Sequence, residues 1–455
     1  MVVLGGGRWA RVLMSVLADV LPEDWRVVWV TQHGRQAAEQ WCREQQQQLP
    51  SSPARAADWI ELATHVSDEW LSQMQAAIVA TAPTTHGDWL QRLLRAQIPT
   101  LCEKPLVLDA QQALELERQA VAANCPVGVN LELHYATYIE HFAGLVSDLQ
   151  AHFASGPATD SSTAWAHQSP VTDGCSSGGR GSRHFELRWL DPWSEVRYGE
   201  TKYSDVYTNI VDDMFPHCWS LLRQVSGQDD WCVEQVEYLL NSDVQISLVQ
   251  GHTSANITLS RRASQRTRRL RVSLADEPAG WQRVEASESA PGADSEAFTA
   301  ELDFSPEPGF VNQPGQRYEL EWGGERPLTR SLKSFLSVVN THRSGQSQQW
   351  QSWPLSIVSC RQSVQVSTTI AAQLRASQQR WLDRCSASAD AGDEAGADAG
   401  DEAGAGGHAD GFLQRLWFDV FVPVAAASGE RVEFTDPQRL QAFYDRIAQR
   451  SQPNS

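Results

Sequence analysis

Short apolar runs and segments of helical period alternate over the first 130 residues. Val2-Val3-Leu4 predicts a buried strand. Three glycines follow, and residues 8–20 then carry apolar side chains at helical spacing. Residues 25–30 (WRVVWV) predict the next strand, and 36–48, filled with good helix formers, the next helix. Residues 75–80 (QAAIVA) are a third apolar run, followed by a helix at 88–96, a strand at 99–102, a helix at 109–123 and a strand at 126–130. Strand and helix alternating at this spacing predict a parallel sheet with crossover helices.

Beyond about residue 145 the period changes. Residues 154–184 are rich in Ser, Gly, Thr and Pro and read as an insertion. Period-2 alternation follows at 185–189, 244–249, 256–260 and 270–274, with one helical segment at 211–224. That order predicts an α+β domain with a largely antiparallel open sheet. At 390–397 the chain reads DAGDEAGA, and 398–405 repeat it. An acidic Gly/Ala tandem has nothing to bury and is expected to be disordered, either as an interaction tail or as an expanded surface loop. The expected division is therefore 1–128, an α/β domain with a parallel sheet; 129–385, the α+β domain; 386–411, the acidic repeat; and 412–455, a segment packing back on the fold.

Composition narrows the function classes. The 455 residues are 41% hydrophobic and 20% charged, enough for a large core. With 37 basic against 56 acidic residues the formal charge is −19, which disfavours nucleic acid and anionic membranes as partners. No apolar run is long enough for a membrane span, and no basic-then-apolar leader opens the chain. The eight cysteines form no CxxC pair, so a reduced, cytoplasmic chain without a metal centre is expected.

Gly5-Gly6-Gly7-Arg8-Trp9-Ala10 stands between the first strand and the first helix and matches G-x-G-x-x-G/A. Gly5 suits the tight turn, Gly7 a close approach of backbone to a pyrophosphate, and Ala10 close helix–strand packing. The helix N-terminus would add N–H groups and positive dipole. After the second strand comes Thr31-Gln32-His33-Gly34-Arg35. A carboxylate there would bind the ribose 2′-hydroxyl of NAD. A hydroxyl, a His and an Arg stand there instead, which favours the 2′-phosphate of NADP, with NAD the lesser expectation.

Further along, Ala80-Thr81-Ala82-Pro83-Thr84-Thr85-His86 is followed by Cys102-Glu103-Lys104-Pro105, then Val127-Gly128-Val129-Asn130 and Asp213-Met214-Phe215-Pro216-His217. In this order the segments resemble the Gfo/Idh/MocA oxidoreductases, relatives of glucose–fructose oxidoreductase and inositol dehydrogenase. The resemblance covers residues 1–145 well and 185–275 loosely. It implies a Rossmann domain followed by an α/β domain whose open sheet can build a homodimer or homotetramer. It also implies cofactor contacts at Thr81, Pro83, His86, Glu103, Lys104 and Asn130, with Lys104 beside the nicotinamide and Asp213 and His217 facing it. Departures are Ala82 in a proline place, Phe215-Pro216 where relatives have Gly two before the His, and Leu131-Glu132 where an Arg is common.

The residue types suit the chemistry. Hydride transfer to or from a carbinol carbon needs one group to hold the oxygen and one to move its proton. Lys104 can do the first and His217 the second, because imidazole titrates near neutral pH. Asp213, at i−4 on the same helix face, can orient the imidazole or bind a substrate hydroxyl. The expected activity is an NADP-dependent oxidoreductase acting on the carbonyl or hydroxyl of a small polar, sugar-like or specialised biosynthetic substrate. An imine reductase and a non-catalytic nucleotide-binding scaffold are the alternatives. Trp189 and Trp193, flanking Asp191-Pro192, serve either ring binding or packing.

Overall fold

The computed structural model describes residues 1–32, 34–48, 59–154, 181–192, 194–197, 200–203, 208–239, 243–276, 298–305, 309–313, 316–319, 324–345 and 347–390. The chain forms two compact units, Met1–Ser204 with Ile210–Glu394, and Asp205–Asn209 with Ala395–Ser455. Of the second unit only Thr208 and Asn209 are described, so the acidic repeat from 391 onward and the segment 412–455 lie outside the described residues. Every element below belongs to the first unit.

Strands β1 (Val2–Leu4), β2 (Val27–Val30), β3 (Ile60–Ala63), β4 (Ala77–Val79), β5 (Thr100–Glu103) and β6 (Val127–Asn130) form a parallel sheet in the order β3-β2-β1-β4-β5-β6. Helices α1 (Arg8–Val20), α2 (Arg35–Gln48), α3 (Asp68–Leu71), α4 (His86–Arg95) and α5 (Ala110–Ala122) connect them. Strand order reverses between β1 and β4, which opens a crevice at their carboxyl ends where ligands bind in such sheets. β1, β2, β4, β5 and β6 are buried along their whole length, which explains their unbroken apolar runs. α1 buries Ala10, Leu13, Met14, Val16 and Leu17, a single helical stripe. The Asp109 carboxylate accepts from the Gln112 amide at 2.7 Å and starts α5. β3 and α3 carry weak patterns and were not expected from the sequence.

Helix α6 (Thr137–Ala154) leads to the second sheet. Its elements are β7 (Gly181–Leu190), the hairpin β8 (Ser194–Arg197) and β9 (Glu200–Tyr203), α7 (Ile210–Ser226), then β10 (Cys232–Tyr238), β11 (Val244–Gln250), β12 (Thr253–Ser260), β13 (Thr267–Asp276), β14 (Phe298–Asp303), β15 (Phe310–Gln313) and β16 (Gln316–Glu319). Among the described residues eight strands pair in the order β10-β11-β12-β7-β13-β14-β15-β16. The pairing is antiparallel except between β12 and β7, so the sheet is mixed but mostly antiparallel, close to the expected form. β7 begins at Gly181, inside the stretch read as an insertion, whose residues 155–180 lie outside the described residues.

The chain then returns to the first sheet. Helix α8 (Pro327–Arg343) buries Leu332, Phe335 and Val339 in the first core. Helix α9 (Ile357–Asp390) touches both cores, the first through Ile357, Cys360 and Val364 and the second through Val366, Ile370 and Leu374. Where the chain enters α9, Trp353 lies flat against β6: a Cβ on Gly128 would sit 2.1 Å from its ring, and the Val129 amide donates to Leu355 O at 2.8 Å. Gly128→Ala is therefore expected to destabilise the fold by about 1–3 kcal/mol, as overpacked cores do. A denaturant midpoint unchanged from the natural chain would contradict this packing.

Candidate active site

The glycine turn follows β1 at its carboxyl end, where the strand order reverses between β1 and β4. Gly5 has φ +129°, and a Cβ on it would lie 2.1 Å from Ala80 O at the end of β4. Only glycine is free of that clash. The Gly5 amide donates to Val30 O at 2.9 Å, and the buried Trp29 indole N–H donates to Gly5 O at 2.7 Å. Gly7 begins α1 in an extended conformation with no side chain capping the helix, and the space where its Cβ would sit is open to 4 Å. An uncapped helix start facing open space suits an anion. Ala10 is fully buried, as close helix packing requires, while Arg8 and Trp9 are half-buried at the turn.

The segment after β2 approaches the same turn: a Cβ on Gly34 would meet Gly6 O at 2.8 Å. Thr31 is buried and its amide donates to Ala63 O. Arg35 opens α2 and its Nε donates to the Glu39 carboxylate at 2.8 Å, an exposed pair. His33 lies outside the described residues.

His86 is buried under the third loop. Its Nδ1 lies 2.8 Å from Pro105 O and its Nε2 3.1 Å from Thr81 O, so the ring ties the end of β4 to the loop after β5. Burial pushes its pKa down, against the pull of these carbonyls. Thr85 Oγ1 donates to Thr81 Oγ1 at 2.7 Å, and Pro83 starts the short turn between them. The Lys104–Pro105 peptide is cis. Glu103 and Asn130 form a buried chain: Ser331 Oγ donates to Asn130 Oδ1 at 2.8 Å and Asn130 Nδ2 to Glu103 Oε1 at 2.7 Å. Burial raises the Glu103 carboxyl above its ordinary value, while Asn130, Trp9 and Lys104 pull it back.

Lys104 points away from that chain toward α7. Its Nζ donates to Asp213 Oδ1 at 2.7 Å and to Asp213 O at 2.8 Å. Burial favours the neutral amine, but Asp213, with Glu132 and Glu103, outweighs it and holds the ammonium above the ordinary lysine value. Asp213 Oδ2 accepts from Arg261 at 3.4 Å. One turn later His217 stacks on Trp189, with ring centroids 5.0 Å apart and planes 7° from parallel. Phe215 is fully buried beside Trp219, so its bulk goes into the core rather than the cleft. Pro216 faces the loop after β5, lining an apolar cavity with Pro105, Leu106, Val129, Leu131 and Val364.

The structure thus brings Lys104 and Asp213 into contact and sets His217 on the same helix. Arg261, Glu132 and Arg268 were not expected. Arg261 and Arg268 flank the turn between β12 and β13, and no local pattern separates them from the other arginines of 261–271. Glu132 stands in a short helical turn, Glu132–Tyr135, where the family pattern directed attention to a missing arginine. Among the described residues no group of three or more His, Cys, Asp or Glu could hold a metal, and no helix is long and apolar enough to cross a membrane.

A doubly wound parallel sheet with a glycine turn at its switch point is a dinucleotide-binding domain, here joined to a mixed-sheet domain that faces it with charged groups. Residues 1–131 match the profile of the oxidoreductase family with NAD-binding Rossmann fold, GFO_IDH_MocA. A 60-residue segment is 35% identical to myo-inositol dehydrogenase Hyg17 of Streptomyces leeuwenhoekii, spanning 13% of this chain and 18% of that protein. Similar solved structures include UDP-N-acetylglucosamine 3-dehydrogenase GnnA from Acidithiobacillus ferrooxidans, with 16% identity, TM-score 0.52 and coverage of 83% of this chain and 97% of that one. Another is the 3-ketoreductase KijD10 from Actinomadura kijaniata, solved with NADP and TDP-benzene, with 13% identity, TM-score 0.52 and coverage of 83% and 96%. At these identities the likeness speaks for the fold.

A carboxyl with a raised pKa keeps its proton longer in the folded chain than in the unfolded one. Its contribution to stability is present below the ordinary value near 4.5 and is lost as pH rises through the raised value. Glu103→Gln, which keeps the acceptor for Asn130, is expected to flatten the fall in thermal midpoint as pH rises above about 4.5. An identical pH profile for the two proteins would contradict the buried placement of Glu103.

Proposed function

We propose that this protein is an NADP-dependent oxidoreductase that moves a hydride to or from the carbonyl or hydroxyl carbon of a small, polar, sugar-like substrate. The observation that carries the reading is the contact of Lys104, at the end of the dinucleotide-binding sheet, with Asp213 on the helix of the second domain. It supports a reaction centre in the cleft where a cofactor's ring and a substrate meet.

The uncapped start of α1, with Gly5, Gly7, Arg8, Trp9 and Ala10, fits a pyrophosphate. Thr31, His33 and Arg35 form the segment for the 2′-phosphate. The Arg35–Glu39 pair is exposed and worth little, so the guanidinium can turn to a phosphate. Thr81 and Pro83 line the next loop, and His86, Glu103 and Asn130 hold the floor beneath. The nicotinamide, when bound, supplies or accepts the hydride. Lys104 uses two of its three N–H groups on Asp213, which leaves one for the substrate oxygen. Its ammonium then favours negative charge on that oxygen. His217 gives or takes the oxygen's proton, and Asp213 keeps the lysine oriented.

Titration with NADPH and NADH, followed by energy transfer from tryptophan to the reduced nicotinamide, tests the reading. Micromolar NADPH binding with much weaker NADH binding is expected, and Arg35→Ala should remove most of the difference. Binding of neither would overturn the proposal. In a screen of keto sugars and polyols, Lys104→Ala and His217→Ala should each abolish turnover while cofactor affinity stays within a few-fold. Loss of cofactor binding in both would refute the division of roles.

A further inference from the structure

The indole that carries His217 also carries a buried arginine. The Arg268 guanidinium carbon lies 4.0 Å from the centre of the Trp189 ring. Trp189 is 5% exposed, and the Arg268 side chain 3%. Arg268 cannot swing away. Its guanidinium donates to Asp191 Oδ1 at 2.5 Å, to Leu190 O at 2.8 Å and to Thr267 O at 2.9 Å. Asp191 is tied in turn, its amide donating to Ser260 O and its carbonyl accepting from the Ala263 amide. Three elements meet here: β7 supplies Trp189, β13 Arg268 and α7 His217.

We propose that Trp189 and Arg268 are positioning residues for His217: the indole sets the plane of the imidazole, and the guanidinium on that indole keeps the imidazole neutral at rest. The stack stands on geometry, and only its use in proton transfer rests on the function proposed above. An aromatic face attracts a cation, so a protonated His217 would be welcome on a bare indole. With Arg268 already there, a second cation meets a fixed like charge in a site with little water. Among the described residues, the other charges nearby include Asp213 one turn earlier, already engaged by Lys104 and Arg261, and Asp191 behind Arg268. A neutral imidazole is the form that can accept a proton from a hydroxyl. Once protonated, it gives the proton up readily, which suits transfer in either direction.

The test needs no substrate. The full chain is prepared with 13C-labelled histidine, and the His217 ring signals are assigned by their loss in His217→Asn. The proposal expects these signals to be displaced upfield by the indole ring current, fully lost in Trp189→Leu and partly kept in Trp189→Phe. It also expects a titration midpoint below the ordinary histidine value of about 6.5. Arg268→Gln should raise that midpoint by roughly half a unit to one unit, and Arg268→Lys should leave it near the natural value. Arg268→Gln strands Asp191 and can fail to fold. Asp191→Asn, which keeps the arginine and removes its counter-charge, should then lower the midpoint. A His217 midpoint that ignores both substitutions, or ring signals that ignore Trp189→Leu, would overturn the proposal. If the stack behaves as expected but His217→Asn still turns substrate over, the catalytic reading of His217 falls and the stack stands.

Discussion

The ion pair between Lys104 and Asp213 joins groups 109 residues apart in the chain, and the cleft is organised around it. Taking an ammonium and a carboxylate partly out of water is costly unless both are well bonded. Here the lysine has two acceptors on one residue, and the carboxylate has a second cation in Arg261. The pair therefore needs α7 at one height against the loop after β5. Pro216 and Pro105, lining the same cavity, show how closely the two backbones approach. Mostly buried and paired at a close contact, the ammonium stays charged and directed.

Packing away from the cleft keeps that contact in register. α9 buries one stretch in the core of the parallel sheet and the next in the core of the mixed sheet. A single rigid helix shared by two cores resists relative sliding, because interiors are close-packed and deform little. α8 and Trp353 close the edge of the parallel sheet on the same side as Asn130, whose bond to Ser331 of α8 continues into Glu103. The floor under Lys104 is thus built partly by residues about 200 positions away. Arg261, Arg268 and Asp191 gather, largely buried, around the turn that ends β12 and starts β13.

Much of the first domain was legible in the residues. Period, glycine placement and the order of the motifs are local properties, and a parallel strand buried on both faces writes itself as a continuous apolar run. α1 matches its expected bounds because one stripe of apolar residues is decided by one packing surface. β3 and α3 were not legible, since a weakly apolar edge strand and a single helical turn leave little periodic signal. The mixed character of the second sheet was hidden too, because the alternation of β7 and β12 is the same whether the pair runs parallel or antiparallel.

By itself the sequence determined the class of the first domain and the chemical groups available to the site: the glycine turn, a lysine before a proline, and an aspartate and histidine one helical turn apart. These are matters of residue type and short spacing, which local sterics and hydrogen bonding decide. Only the tertiary structure decided which groups meet. Arg261 on Asp213, Glu132 near Lys104, and Arg268 with His217 on the face of Trp189 are contacts between distant segments. No periodicity encodes them, because they follow from how two sheets and the helices across them pack, and packing is set by the whole chain at once.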